Sequence, residues 1–435
     1  MTRMKESGID WIGQIPEEWE VKDIKHIFEE IGSGATPKSD NETFYDGDIN
    51  WIQSGDLYQT EEVIKVSKTI TYQGFQSTSA LKIYKHPFIA LAMYGASVGN
   101  VAISCIDACV NQAVVVMLGT SEKVRFGKYA IEASKNNLIF SAQGGTQPNI
   151  SQILIKNWNI PQPDSSEQTK IADFLDKKTA QLDKVKGLLE EQIQKLKDYR
   201  ASLIYEIVTK GLDKTVPMKD SGIDWIGQIP EEWEVSKLEQ YVDIFGRIGF
   251  RGYTTNDIVN EGEGAISYSP SNIIDYSVID NNNTYISWSK YDESPEIQIK
   301  TGDVLYVKTG SSYGKAGIVN KLSNKATINP QLVVLKPKKN TDSRLINYFL
   351  NSSVGKDQSE LIVGGSTIPT ITQESIKKMI FPKMSFEEQQ KIADFLDKKT
   401  IQIDKLIQIK NQQIENINKQ RQTLIYDYVT GKRRV

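Results

Sequence analysis

The sequence predicts an α+β protein built twice over: two α/β domains, each followed by a long helix. The two helices are expected to form an antiparallel coiled coil with a pseudo-twofold internal repeat. Three observations predict it. The fifteen residues SGIDWIGQIPEEWEV occupy positions 7–21 and again 221–235, 214 positions later. The block IADFLDKKT occupies 171–179 and again 392–400, 221 positions later. Between these near-copies lie two long stretches that resemble each other only faintly. A long internal period marks a duplicated architecture and must be read before any local feature.

Each half runs through the same elements. It opens on Trp-Pro-Trp: Trp11, Pro16 and Trp19, then Trp225, Pro230 and Trp233. Short β-rich runs follow, broken by Gly, Asn, Ser and Asp, including FIALAMYG (88–95), QAVVVML (112–118), DVLYVKTG (303–310) and QLVVLKP (331–337). Apolar runs of this length read as strands. One helix is expected late in each stretch, near 127–137 and 343–353. The stretches end at Pro161 and Pro163, and at Pro382. The divisions expected are a first domain at 1–160, a first helix with linker at 161–216, a second domain at 217–382 and a second helix at 383–435.

The period then changes to seven. Leu175, Leu182, Leu189, Leu196 and Leu203 are seven apart, with Ile171, Val185 and Tyr199 interleaved. Leu396, Ile403, Ile417 and Leu424 repeat the pattern, with Ile392 and Leu406 interleaved and Lys410 interrupting it. A sustained seven-residue apolar repeat predicts a coiled-coil seam, here along helices of roughly 43 residues or ~64 Å at the α-helical rise. Two equal helices with matched seams point to mutual pairing. Gln192 and Gln413, 221 apart, fall near the helix midpoints. Antiparallel pairing would bring both to the centre as a buried polar level that fixes register. It would also leave one globular domain at each end of a rod, at the spacing of two half-sites on a duplex.

Composition is that of an ordinary globular chain, with 39% hydrophobic and 25% charged residues. No apolar run approaches the ~20 residues of a membrane helix. The opening MTRMKESGIDWIG lacks a signal-peptide core. Cys105 and Cys109 offer no disulfide framework, so a cytoplasmic, reducing setting is expected. With only His26 and His86 for company, and no cysteines in the second copy, the pair does not predict a metal site. Net charge is −3 over the chain, −4 over 1–160 and +4 over 383–435. A solitary tight DNA binder shows a basic surplus, so DNA binding would use local clusters or lean on partners.

The divergent stretches hold glycine-bounded loops rich in hydroxyl and amide side chains, which suit hydrogen bonding to base edges and phosphates. In the first domain these are GSGATPKS with WIQSGDL, YGASVGNVAI and SAQGGTQPNIS, with VNQAVVV between. The candidate contacts are Ser33, Thr36, Lys38, Gln53, Ser54, Tyr94, Ser97, Asn100, Gln143, Thr146 and Gln147. In the second they are FGRIGFRGYTTNDI, AISYSPSNI, KTGSSYGKAGIV and IVGGSTIPTIT, with INPQLVV between. Its candidates are Arg247, Arg251, Tyr253, Tyr268, Ser271, Asn272, Lys308, Thr309, Ser311, Tyr313, Lys315, Ser366 and Thr367.

The opening motif, GSGATPKS with WIQSGDL, YGASVGNVAI, and QKIADFLDKKT leading a long helix together carry a resemblance. The chain resembles the specificity subunit of a type I restriction-modification system across nearly its whole length. The resemblance implies two target-recognition domains joined by two long helices, and a DNA-reading, non-catalytic subunit. It implies double-stranded DNA as ligand, two methyltransferase subunits as partners and two motor-nuclease subunits for restriction. S-adenosylmethionine, ATP and Mg would belong to those partners, with no cofactor on this chain and no membrane. The second domain departs from the pattern, with FGRIGFRGYTTNDI where the first has GSGATPKS. This fits a different sequence preference. Arg247 and Arg251 suggest a guanine, since arginine bonds guanine bidentately.

Three rivals remain in view. Pro163-Asp164 with Asp176-Lys177-Lys178 mimics a metal-nuclease spacing, but its second element falls in the leucine-repeat helix and the second copy has Pro382-Lys383. No donor-binding glycine turn of a methyltransferase opens a βαβ unit. The alternative function is a coiled-coil scaffold whose globular ends bind protein without DNA specificity. Divergence tells against it: copied parts suit identical partners, and uncopied parts suit two different sequences. On that logic Asp173, Asp176, Lys177 and Lys178, with Asp394, Asp397, Lys398 and Lys399, are expected to face a partner.

Overall fold

The computed structural model describes residues 3–142, 148–247, 249, 252–365 and 367–435. The chain forms two units. One comprises Met1–Leu189 with Asn411–Val435, the other Glu190–Lys410. Both boundaries fall inside the long helices Ser165–Lys210 (46 residues) and Phe386–Val429 (44 residues). Each unit therefore owns one globular domain and half of each helix.

The copied opening motif builds the same clamp in both units. Met4–Glu6 pairs antiparallel with Gln14–Pro16, and Met218–Asp220 with Gln228–Pro230. The next strand, Glu20–Asp23, pairs antiparallel with Asn159–Gln162; in the second unit Glu234–Lys237 pairs with Ile380–Lys383. The start and the end of each domain are thus hydrogen-bonded to each other just before the long helix begins. The tryptophans drive this. Trp11, Ile12, Ile15 and Trp19 are buried in one core with Ile171, Leu175, Ile425 and Val429 of the helices. Ile226, Ile229 and Trp233 are buried with Ile204, Ile207, Leu396 and Ile403. Burial of such residues is worth ~1.5–3 kcal/mol each, so the clamp and the helix ends fold as one core.

Beyond the clamp the first domain carries a five-stranded sheet in the order Glu30–Ser33, Val114–Leu118, Phe88–Ala92, Val101–Ser104, Glu62–Val63. A three-stranded sheet, Cys109–Val110, Tyr45–Ile52, Thr69–Ile70, lies in the same unit. The central strands are buried on both faces, which is why they read as continuous apolar runs rather than alternating ones. The helix expected near 127–137 is Ser121–Phe140. The second domain has a six-stranded and a four-stranded sheet. Its helix is broken in two, Ser343–Asn351 and Ser353–Ile362. The cause is local: Ser352 caps the second piece through Gly355. A Cβ on Gly355 would lie 2.4 Å from the Phe349 carbonyl oxygen, so the tight junction requires glycine.

The long helices pair antiparallel within each unit, as expected. In the first unit Phe174 stacks on Tyr428 with ring centres 4.4 Å apart, and Asp183 faces Arg421 at 3.6 Å. In the second, Gln192 faces Lys410 and Arg200 pairs with Asp404. The seam corrects the sequence reading in detail. Leu175, Leu203, Leu396 and Ile403 are buried, while Leu182, Leu189, Leu196, Ile417 and Leu424 are half-buried. Gln192 and Gln413 are exposed, and Ile193 is buried in their place. The interleaved Val185, Tyr199 and Leu406 are also exposed. A two-helix seam shields one narrow stripe. The neighbouring apolar position takes the stripe and leaves the amide on the flank, where Gln192 accepts a hydrogen bond from Lys410 Nζ at 2.5 Å. No buried polar level sets the register here; charge pairs flank it instead.

Candidate nucleic-acid interface

In each domain the sheet holds a glycine hairpin at an equivalent place. In the first, Gly99 donates its N–H to Ala92 O (2.8 Å) and Ala92 to Asn100 O (2.9 Å). In the second, Gly314 donates to Val307 O (2.9 Å) and Val307 to Lys315 O (2.8 Å). Gly99 and Gly314 have φ of +75° and +83°, a region that favours glycine. The copied spacing G-x-x-x-G is thus a turn requirement. A Cβ on Gly99 would also meet Ile139 at 2.9 Å, so the hairpin packs closely on the domain helix.

A second loop docks beside each hairpin. Ile150 N–H bonds to Met93 O (2.8 Å), and Ile371 N–H to Lys308 O (2.7 Å). A third turn is built by Asn111 and Asn329, whose Oδ1 atoms accept the N–H two residues on, both at 3.0 Å. These turns place Gln112 and Gln331, both exposed, beside the hairpins. Neither was among the predicted contacts. The shared Asn in VNQAVVV and INPQLVV was the available signal.

Of the first domain's candidates, Thr36 and Lys38 are exposed, and Thr36 Oγ1 donates to Gln112 Oε1 at 2.5 Å. Ser33, Gln53, Ser54, Tyr94 and Asn100 are half-buried. Gln53 is the N-cap of the turn Ser54–Leu57, and its N–H bonds to Asp56 at 2.8 Å. Ser97 is buried, and Asn100 Oδ1 is taken by Lys135 Nζ at 2.5 Å. Gln143, Thr146 and Gln147 lie outside the described residues.

In the second domain the hairpin presents Ser311, which is exposed, with Thr309, Tyr313 and Lys315 half-buried. Lys308 is also half-buried, and burial lowers the pKa of its ammonium. Thr367 is exposed on the neighbouring loop. Tyr253 is half-buried and accepts from Ser267 Oγ at 3.3 Å. Three candidates are buried. Arg247 is 5% exposed, donates to Ile328 O (3.1 Å) and Thr327 Oγ1 (3.3 Å), and stacks on Tyr253. Tyr268 donates to Asp280 at 2.8 Å, and burial raises its phenol. Asn272 uses its amide to close the 270–283 turn. These three serve the fold rather than an open surface, because a satisfied buried donor is costly to withdraw. Ser271 is exposed. Arg251 and Ser366 lie outside the described residues.

Below the loops, each domain is tied to its helices by one repeated constellation. Arg125 donates to Asp173 at 2.7 Å and also pairs with Asp176, while Tyr129 Oη donates to Asp176 at 2.7 Å and lies 3.3 Å from Thr179 Oγ1. In the second unit Arg344 binds Asp394 (2.7 Å), Asp397 (2.8 Å) and Asp342 (2.6 Å), and Tyr348 Oη donates to Asp397 at 2.8 Å. The aspartates read as partner-facing are therefore engaged within the chain. Lys177, Lys178 and Lys398 stay exposed; Lys178 and Lys399 lie over Phe174 and Phe395 at 5.9 and 5.7 Å. As to metals, no group of three His, Cys, Asp or Glu side chains is gathered among the described residues. Burial pushes the Cys109 thiol up to about 12, far from the thiolate a metal requires.

The profile of the family described as "Type I restriction modification DNA specificity domain" matches residues 16–195 and 230–419. The chain belongs to this family. It is a specificity subunit with two target-recognition domains, and each matched stretch holds one hairpin-bearing domain and most of the long helix that follows it. A "Putative type I restriction enzyme MjaX specificity subunit" of Methanocaldococcus jannaschii is 26% identical over 98% of this chain and 96% of its own length. The "Type I restriction enzyme EcoBI specificity subunit" of Escherichia coli is 24% identical over 86% and 79%. Among solved structures, a chain from work on "complex assembly" and "conformational transition of the type I R-M system" superposes with a TM-score of 0.73 at 16% identity, over 96% of this chain and 99% of that one. The HsdS subunit of Thermoanaerobacter tengcongensis gives 0.52 at 17% identity, over 96% and 98%. These likenesses support the fold. Among the described residues, no helix is long and apolar enough to cross a membrane.

Proposed function

We propose that this specificity subunit reads a split, asymmetric DNA target, one part per recognition domain, and holds two methyltransferase subunits for modification, joined by two motor-nuclease subunits for restriction. The observation that carries the reading is the division of labour within the repeat. The clamp and the Arg–Tyr–Asp tether are kept in both units, whereas the hairpin tips differ: Ala96, Ser97 and Val98 in one, Ser311, Ser312 and Tyr313 in the other. Identical frames suit identical partners, and different loops suit different base sequences. The subunit is non-catalytic and acts in the cytoplasm; S-adenosylmethionine, ATP and Mg work on the partners. A chain of net charge −3 relies on those partners for much of the phosphate contact.

Methylation mapping in cells carrying this chain with its methyltransferase tests the proposal. The expected result is a motif of two short specified parts around a non-specific spacer. Replacing residues 22–160 with the corresponding stretch of another subunit should change one part only; a change in both parts would overturn the one-domain, one-part assignment.

A further inference from the structure

The two copies of the clamp differ in what sits against the second tryptophan. In the first unit Arg434, just past the second long helix, bridges the carboxylates of Glu18 and Glu167, with its guanidinium 5.7 Å from the Trp19 ring. Trp19 Nε1 donates to Glu167 at 2.8 Å, fixing that carboxylate. The equivalents in the second unit are Glu232, Trp233 and Glu388, at the repeat offsets of 214, 214 and 221. There the chain turns at Gly211 and continues, and the following cation, Lys214, pairs with Glu206 at 3.0 Å instead. Among the described residues, neither Glu231, Glu232 nor Glu388 forms an ion pair. A cavity of about 610 Å³ is left, lined by Lys210, Asp213, Glu231, Glu232, Trp233 and Glu388 among others, four acids against one base.

We propose that this cavity receives an arginine side chain from a partner polypeptide, held between Glu232 and Glu388 over Trp233 as Arg434 is held between Glu18 and Glu167 over Trp19. The observation pointing to the ligand is the first unit itself, where the same residue types at the same repeat positions already ligate a guanidinium. The chemistry is selective. Two carboxylates offer a planar fork of acceptors, and an aromatic face offers a stacking surface, a combination that guanidinium satisfies better than ammonium. The site is distinct from the hairpin loops and does not depend on the DNA reading.

The probe is the peptide Gly-Lys-Arg-Arg-Val, the sequence of residues 431–435, titrated calorimetrically into the full chain. One-to-one binding is expected, weakened about tenfold or more by E388Q or E232Q, unchanged by E167Q, and lost when citrulline replaces both arginines. Among the described residues neither Glu232 nor Glu388 forms an ion pair, and losing the charge of Glu388 from the first turn of its helix costs little, so the glutamine variants should melt close to the parent, which a thermal scan verifies. Absence of binding at millimolar peptide, binding equally strong in E388Q and E232Q, or sensitivity to E167Q in their place would each overturn the proposal.

Discussion

The two units meet the same architectural problem with different chemistry. Arg421 and Arg200 are 221 positions apart, and so are their partners Asp183 and Asp404, set against each other in antiparallel register. Around Arg421 the first domain gathers charges: Glu132, Glu61 at 2.6 Å, and Lys128 bridging both acids, 2.8 Å from Glu132. Around Arg200 the second domain offers neutral groups. Arg200 stacks on Tyr276 at 4.6 Å, and Tyr276 meets Tyr348 edge-on. Asn347 and Asn351, at the places of Lys128 and Glu132, spend their amides on Tyr276 O (2.8 Å) and Ala316 O (3.1 Å). One frame arginine is thus served by an ionic network in one copy and by an aromatic and amide network in the other. What duplication preserves is the arginine and its place on the helix; the domain behind it is free to diverge provided it satisfies that cation.

The largest test of this contrast is removal of one central acceptor from each network. E132Q leaves Arg421 and Lys128 mostly buried with one carboxylate fewer, a loss of about 3 kcal/mol. N351A leaves only neutral groups unpaired, about 1–2 kcal/mol. Urea denaturation followed by hydrogen exchange in 121–140 and 343–362 separates the two; equal losses would break the contrast. Acid should discriminate in the same direction. Burial works to raise the Glu132 carboxyl, but Lys128 and Arg421 outweigh it and hold the pKa below its ordinary value. A depressed folded pKa contributes stability that is present above the unfolded carboxylate value near ~4.3 and disappears as pH falls through the lower folded value. Between pH 6 and 3, protection in 121–140 should therefore fall further in the parent than in E132Q.

How much of this could be read from the sequence depends on how local the signal is. The long helices were legible because the seven-residue spacing of Leu175, Leu203, Leu396 and Ile403 lies along the chain. Their rotation was not: Ile193 and Gln192 are adjacent, and which one enters the seam is decided by the opposite helix. The clamp was legible as a repeat, though not as a strand pair, since Glu20–Asp23 finds its partner at Asn159–Gln162. The loops were located, but Arg247 was read as an open cation. Its burial depends on the carbonyl of Ile328, 81 residues away. The tether had an unused signal: R-x-x-x-Y at Arg125–Tyr129 recurs at Arg344–Tyr348, inside stretches that otherwise diverge.

That tether supplies the next test. Arg344 serves three carboxylates and Arg125 two, and Asp342 is buried where Asp173 and Asp176 are partly exposed. Solvent screening discounts the exposed pairs. R125A should then cost about 1 kcal/mol and R344A about 2 kcal/mol, the excess arising because the buried Asp342 loses its cation and keeps only the backbone N–H of residue 344. A larger loss from R125A would mean that the first domain leans on its tether more than its geometry indicates. Added salt sharpens the assignment, because the R125A penalty should shrink with ionic strength while part of the R344A penalty persists.

The smallest effect belongs to the hydroxyls. Tyr129 and Tyr348 each donate to an aspartate and lie within hydrogen-bond reach of a threonine, at 3.3 and 3.1 Å, and burial raises both phenols. Y129F and Y348F delete one donor apiece and keep the ring, so each should cost about 1 kcal/mol or less, and by nearly equal amounts. Equality is the informative outcome. The phenols sit at the same step of the same tether, where the copies agree, whereas Glu132 and Asn351 sit one helical turn further on, where they part. Matched tyrosine penalties beside unmatched ones at 132 and 351 would show that the copies agree at the tether itself and part in the side chains around it.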